Sequence, residues 1–258
     1  MFNKSNRYFL VTVILLFTFQ ASAQIKGTLN YKLTINDGFT GEPRVMNFAT
    51  YFSGSKSLEV PIPKGVKSAL IADGDNSLVQ TEVVSTKKSN FIFKNFASKQ
   101  LVVGDNVQRN YCLVNDTLSN FKWKVTNQTR TILNYNCVKA TTTFRGRSYE
   151  AWFTDDIAIT NGPWKFCGLP GLIVTVNDTE GVYKYELTGI DLKADFSPAI
   201  LALPTAYAKD KAMTHKIFIA TLNKRIMQND ALSRASLKVN GSNSSNMTIS
   251  LPPKMEKY

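Results

Sequence analysis

Along residues 27–35 apolar and polar positions alternate, with Leu29, Tyr31, Leu33 and Ile35 on one side. A period of two marks a strand with one dry face, and Asn36-Asp37-Gly38 ends it. Residues 45–52 and 57–62 flank Ser53-Gly54-Ser55-Lys56 and predict a hairpin, whose second arm stops at Pro61 and Pro63 because proline offers no N–H to a ladder. From residue 89 the pattern becomes a meander, with strands predicted over 91–96, 100–103, 109–114, 121–126, 131–144, 147–154, 172–177 and 182–192. The connectors Gly104-Asp105-Asn106, Asn115-Asp116, Arg145-Gly146 and Asp178-Thr179-Glu180-Gly181 are short and made of turn formers. Sequential antiparallel pairing is the economical topology for such links, so the expected fold is mainly β, one large antiparallel sheet.

After Pro198 and Pro204 the pattern changes period. Residues 206–235 contain no Gly or Pro and place Ile217, Phe218, Leu222, Ile226 and Met227 at helical spacing, which predicts one or two amphipathic helices closing over the sheet or projecting from it. Residues 240–246 are a polar Gly/Ser/Asn stretch before Met247–Leu251 and a Pro-Pro terminus. The polar segment 64–88 holds Asp73-Gly74-Asp75-Asn76, which resembles the opening of a calcium loop. Leu78 and Val84 stand where such a loop needs Gly and Glu, so calcium is not expected there.

The first residues alter the picture of the compartment. Lys4 and Arg7 precede the apolar run Tyr8–Phe19, and Ala21-Ser22-Ala23 supplies a small-x-small site, so a signal peptide cut before Gln24 is expected. The expected organisation is a signal peptide at 1–23, a β domain at 24–204 and a helical segment with a polar tail at 205–258. No later run approaches spanning length, so no transmembrane span is expected after cleavage. Of the 31 basic and 19 acidic residues, residues 1–23 hold two basic and no acidic ones, which leaves a mature charge of +10. The basic residues are scattered, which fits a solvated surface; anionic envelope surfaces are the alternative partner, and nucleic acid is not expected in that compartment.

Residues 162–173, Gly-Pro-Trp-Lys-Phe-Cys-Gly-Leu-Pro-Gly-Leu-Ile, place three turn signals in front of a β-branched strand. Pro170-Gly171 suits the centre of a type II turn, and Trp164, Phe166 and Leu169 predict a loop packed on the body of the protein. Gly168-Leu169-Pro170-Gly171-Leu172-Ile173 is the motif of the GLPGLI family of exported bacterial proteins, and the chain resembles that family further at Lys122-Trp123-Lys124, residues 132–140, Arg145-Gly146-Arg147 and Tyr149-Glu150-Ala151-Trp152-Phe153. That resemblance implies a periplasmic or extracellular setting and no defined activity. Residues 149–153, Gly168-Leu169-Pro170, 172–176 and 183–190 also resemble the strand succession of the lipoprotein-carrier superfamily. This second likeness implies a curved half-barrel with an apolar concave face that holds acyl chains.

Candidate chemistry is sparse. The single histidine, His215, lies in the predicted helix without a nucleophile motif, and one histidine with dispersed cysteines makes no zinc site. Asp155 and Asp156 are neighbours on a strand end and point apart. Neither catalytic residues, nor a metal, nor a cofactor are expected. If Arg145-Gly146 is a hairpin turn, Cys137 faces Thr154, and Cys167 just before the next strand comes back to the same strand end; a Cys137–Cys167 disulfide is expected, with Cys112 free. The function expected is a non-enzymatic exported binding or carrier protein for a lipid or other apolar or amphipathic ligand, with Trp164, Phe166 and Trp152 as its rim. The alternative is an accessory module docking on an outer-membrane protein.

Overall fold

The computed structural model describes residues 25–36, 38, 41–63, 87–107, 110–118, 121–239 and 255–257, with side chains left aside at 230 and 232–239. The expected signal peptide, the calcium-loop look-alike and the polar stretch 240–254 lie outside the described residues. The chain folds as β1 (Lys26–Ile35), β2 (Arg44–Ser53), β3 (Lys56–Pro61), β4 (Phe91–Asn95), β5 (Gln100–Val107), β6 (Asn110–Thr117), β7 (Lys124–Ile132), β8 (Tyr135–Phe144), β9 (Arg147–Thr154), β10 (Leu172–Asp178), β11 (Tyr183–Asp191), β12 (Met213–Thr214) and α1 (His215–Val239). The strands form one curved, unclosed 12-stranded sheet in the order β12-β6-β5-β4-β3-β2-β1-β11-β10-β9-β8-β7. Neighbours are antiparallel except for the two-residue parallel addition of β12 to β6. The expected β-rich half-barrel with a C-terminal helix is the fold observed.

Alternation sorts the side chains as the pattern requires. Leu29, Tyr31, Leu33, Ile35, Tyr149, Phe153, Tyr183, Tyr185 and Leu187 line the concave side and pack with the 161–169 loop. Tyr51, Leu58, Val60, Phe91, Phe93 and Val102 face the other way, where Ala194, Phe196, Ile200, Leu201 and Tyr207 cover them. The connection after β11 is thus a strap across the convex face, pinned by Phe196 against Tyr51 and by Tyr207 against Phe91, each pair with ring centroids 5.2 Å apart. Helix α1 starts at His215, later than the pattern predicts, because Thr205–Tyr207 makes a single 3₁₀ turn and Met213–Thr214 pairs with β6. Thr214 accepts the Ile217 N–H and caps the helix. Phe218, Ile219 and Leu222 bury its first turns beside Val103 and Val114, whereas Met227 is exposed, so the helix both closes over the sheet and projects beyond it.

Two expected turns are strand and one unexpected turn appears; β6 runs straight through Asn115-Asp116, opposite Val102 and Leu101 of β5. β5 runs straight through Gly104-Asp105-Asn106, because Gly104 leaves room for the Phe91 ring; a Cβ there would lie 2.3 Å from it. The long strand expected over 131–144 is split by a hairpin turn at Leu133-Asn134, both in the left-handed region. The Arg145-Gly146 turn forms where expected, with Phe144 opposite Arg147.

Candidate functional site

The 17-residue span between β9 and β10, residues 155–171, would be long for a surface loop, and it is not one. From Asp155 it turns into the half-barrel, so that the sheet curls around residues 161–167. Phe166 is fully buried and its ring meets those of Phe121, Trp123, Tyr149, Trp164 and Tyr185 at 4.9–6.4 Å. Trp123 Nε1 donates to Cys167 O at 2.8 Å. The loop leaves through Gly171, whose N–H bonds Leu169 O at 2.8 Å, a three-residue turn about Pro170 in place of the expected type II turn. Gly171 has φ +146°, and a Cβ there would sit 2.0 Å from Thr154 O, so only glycine fits.

A buried pair of opposite charges holds the loop from the sheet. Lys94 Nζ on β4 donates to Asn161 Oδ1 (2.9 Å), Gly162 O (2.8 Å) and Phe166 O (3.1 Å). Glu59 on β3 accepts the Trp164 N–H at 2.9 Å and the Thr50 hydroxyl at 3.3 Å. That bond fixes Trp164 in a left-handed conformation, φ +51°, which a tryptophan adopts only when its surroundings dictate it. Burial pushes the Glu59 carboxyl up, against the pull of Lys94 and the Trp164 N–H, and burial pushes the Lys94 ammonium down.

Beside Trp164 the concave face is not filled. A cavity of about 170 Å³ is bounded by Leu33, Met46, Phe48, Ile92, Trp164 and Tyr185, with Glu59 and Asp105 in its wall. Burial raises the Asp105 carboxyl as it does Glu59, against the pull of the Asn106 N–H and Lys165.

At the open side a second ionic cluster joins five segments. Lys165 Nζ reaches Asp116 Oδ2 on β6 (2.9 Å) and Glu256 Oε1 in the C-terminal segment (2.7 Å). Arg145, at the β8–β9 turn, grips Asp116 with both terminal nitrogens (2.6 and 2.8 Å) and Glu256 Oε1 at 2.9 Å. His215 Nε2 lies 2.7 Å from Arg145 and 3.3 Å from Glu256 Oε2. Burial opposes ionisation of both acids; at Asp116 the Arg145 and Lys165 contacts outweigh it and hold the carboxyl well below its usual range, and at Glu256 the His215 bond and Lys165 outweigh it and lower the carboxyl. Asp116, His215 and Glu256 have the spacing of a metal site, their ligand atoms lying within 4.8 Å of one another. A metal does not fit there, since Lys165 and Arg145 already occupy the carboxylate oxygens and would repel a divalent cation.

The rim residues expected from the sequence separate. Trp164 lines the cavity; Phe166 lies beneath it in the core; Trp152 is on the opposite face of the sheet, under the Arg130 guanidinium 4.0 Å from its ring and with Nε1 bonded to Glu150. Alternation along β9 is the reason, because Trp152 points away from Tyr149 and Phe153. The Cys137–Cys167 disulfide is not formed: all three cysteines are free thiols. Cys137 shares its face of β8 with Lys139, which bonds Glu150 beside Trp152, while the inward turn of the loop carries Cys167 to the cluster of Val103, Val114 and Phe218. Lys94, Glu59, Asp116, Arg145 and Glu256 were not singled out by sequence reasoning. The one hint was Lys165, the sole ionisable group besides the thiol in an apolar loop.

A family described as the N-terminal domain of N-glycanase peptide matches residues 66–213, more than half of the chain. The chain belongs to this family. The matched span contains the whole inward loop and the Gly168–Ile173 motif. Among solved structures, PNGF-II in a C2 crystal form is 17% identical over 80% of this chain and 33% of that one, with a TM-score of 0.51. Its P21 form is 16% identical over 78% and 33%, again at 0.51. Such likeness shows a common fold, and this chain spans about a third of the length of PNGF-II. A LolA-superfamily protein, NE2245 from Nitrosomonas europaea, is a distant neighbour at 9% identity over 69% of this chain and 90% of that one, with a TM-score of 0.31, too low to carry an argument. No curated protein matches the sequence.

Proposed function

We propose that this chain is an exported binding or carrier protein that takes the apolar part of a ligand into the concave cavity beside Trp164. The observation that carries the reading is the cavity itself: about 170 Å³ of unfilled space walled by Leu33, Met46, Phe48, Ile92, Trp164 and Tyr185. A ligand site is concave and mostly apolar, with a few placed polar groups. The volume is below the roughly 300–1,000 Å³ of sites that enclose a drug-sized molecule, so the cavity accommodates one end of a chain rather than a whole lipid. Export rests on the signal peptide expected from the sequence of residues 1–23.

Titration with an uncharged fluorescent alkyl probe tests the reading. Saturable binding to the wild-type protein, weakened at least about tenfold by Trp164→Ala with the thermal melt retained, is the expected outcome. No saturable binding contradicts it.

The family favours a second reading. A chain that belongs to an N-glycanase N-terminal family, and spans a third of PNGF-II, would serve as an accessory module that docks on a partner acting on glycoproteins. Co-purification of a single protein partner, together with absent probe binding, would select it.

A further inference from the structure

The C-terminal residues 255–257 lie on the concave side as a ligand would. Met255 packs against the inner core, its Sδ 3.6 Å from the hydroxyl of Tyr185, which also lines the cavity, and its carbonyl accepts from Tyr149. The next residue puts a carboxylate between Lys165 and Arg145. Lys257 donates its N–H to Arg145 O at 2.8 Å and passes over Gly146, where a Cβ would come within 3.0 Å of it. An apolar side chain followed by a carboxylate is the chemistry of an amphipathic anion. The two halves sit at the mouth of the cavity: Trp164 and Asp105 form its wall, and Lys165 Nζ is 5.2 Å from the centre of the Trp164 ring.

Charge makes the carboxylate necessary. Lys165 is almost wholly buried and Arg145 partly so; Asp116 and Glu256 are the carboxylates that both of them touch, with Asp105 also within electrostatic reach of Lys165, so loss of Glu256 leaves the two cations a single shared contacting carboxylate. A buried cation short of a counter-ion is costly, so these groups recruit an anion whenever Glu256 leaves. Residues 255–257 are held by Tyr149 and Tyr185 on Met255, by Lys165, Arg145 and His215 on Glu256, and by Arg145 O and Glu180 on Lys257.

We propose that Arg145, Lys165 and His215 form a carboxylate-binding site, occupied in cis by Glu256, and that the ligand of the cavity is an amphipathic carboxylate that displaces residues 255–257. This rests on the carrier reading and adds the class of headgroup and the competing tail. The site takes an aliphatic carboxylic acid in its ionised form, headgroup on Lys165 and Arg145, alkyl end past Tyr185 toward Leu33 and Ile92.

The test uses the full-length exported protein, its Glu256→Ala and Glu256→Gln variants, and two probes of equal length, dansyl-undecanoate and the corresponding dansyl-undecanol. Removing the competing carboxylate should tighten undecanoate binding at least about tenfold and leave undecanol within about twofold. Glu256→Gln, which keeps the shape of the tail, should give a smaller gain of the same sign and serves if Glu256→Ala does not fold. Adding Lys165→Met to Glu256→Gln should abolish the gain. Equal affinity of wild type and both variants for undecanoate, with undecanol still bound, overturns the carboxylate site and leaves the cavity reading intact. Failure of both probes on all proteins overturns both.

Discussion

The two ionic clusters that hold the inward loop are built in opposite ways. The inner pair, Lys94 and Glu59, comes from adjacent strands of the sheet and bonds mostly to backbone atoms of residues 162–166. The outer cluster takes one group from each of five separate segments, Asp116, Arg145, Lys165, His215 and Glu256, and its bonds run between side chains. The inner pair cannot exchange partners without losing the loop conformation, including the left-handed Trp164. The outer cluster can give up one member and accept another anion in its place. Rigidity belongs to the first and exchange to the second, and that division places binding at the outer end of the cavity.

The largest effect is expected where both clusters depend on the same corner. In Gly171→Ala the new methyl meets the Thr154 carbonyl, a backbone atom that cannot swing away, so the loop cannot re-enter β10 and a cooperative melt should be lost by circular dichroism. Next comes the inner pair. Lys94→Met takes the ammonium from the Gly162 and Phe166 carbonyls and from Asn161 Oδ1, which keeps only the Gly162 N–H, removes the counter-charge of Glu59, and should cost about 3–5 kcal/mol in urea titration. Arg145→Met in the outer cluster should cost about 1–2 kcal/mol, since a fifth of its side chain is exposed and Lys165 still pairs both acids. Equal costs for the two would erase the contrast.

Acid should separate the clusters by sign. Asp116 and Glu256 are held below their ordinary values of 3.8 and 4.5, so the stability they contribute is present above those values and is lost as pH falls through the depressed ones. Glu59 is raised above 4.5, so its contribution is greatest below that pH and is lost as pH rises through the folded value. Hydrogen exchange followed as the pH is lowered from 4.5 through the depressed values should therefore release the Lys257 amide while the Trp164 amide stays protected. The smallest effect is expected for Glu59→Gln, about 1 kcal/mol or less, because the amide oxygen still accepts the Trp164 N–H and burial already disfavours the ionised carboxyl.

How much of this was legible depends on how local each cause is. Alternation around Leu29–Ile35, 45–52 and 147–154 is a property of neighbouring residues, and the sheet follows from it. The turn at Leu133-Asn134 was hidden because a leucine stands where a left-handed turn usually has Asn or Gly. Gly104 reads as a turn former, yet its role is to admit Phe91. The disulfide expectation assumed that the loop returns along the strand end, whereas its aromatic residues draw it inward and take Cys167 away from Cys137. The outer cluster joins positions 116, 145, 165, 215 and 256, and no spacing in the chain marks five residues that meet only after the sheet has curled.

Native mass spectrometry of the protein purified from its own host, under conditions that preserve complexes, tests the central claim most directly. The account predicts a one-to-one adduct whose mass and fragmentation identify an aliphatic carboxylate, with its occupancy raised in Glu256→Gln and lost in Trp164→Ala. A bare protein mass in the wild type and in Glu256→Gln alike would contradict it.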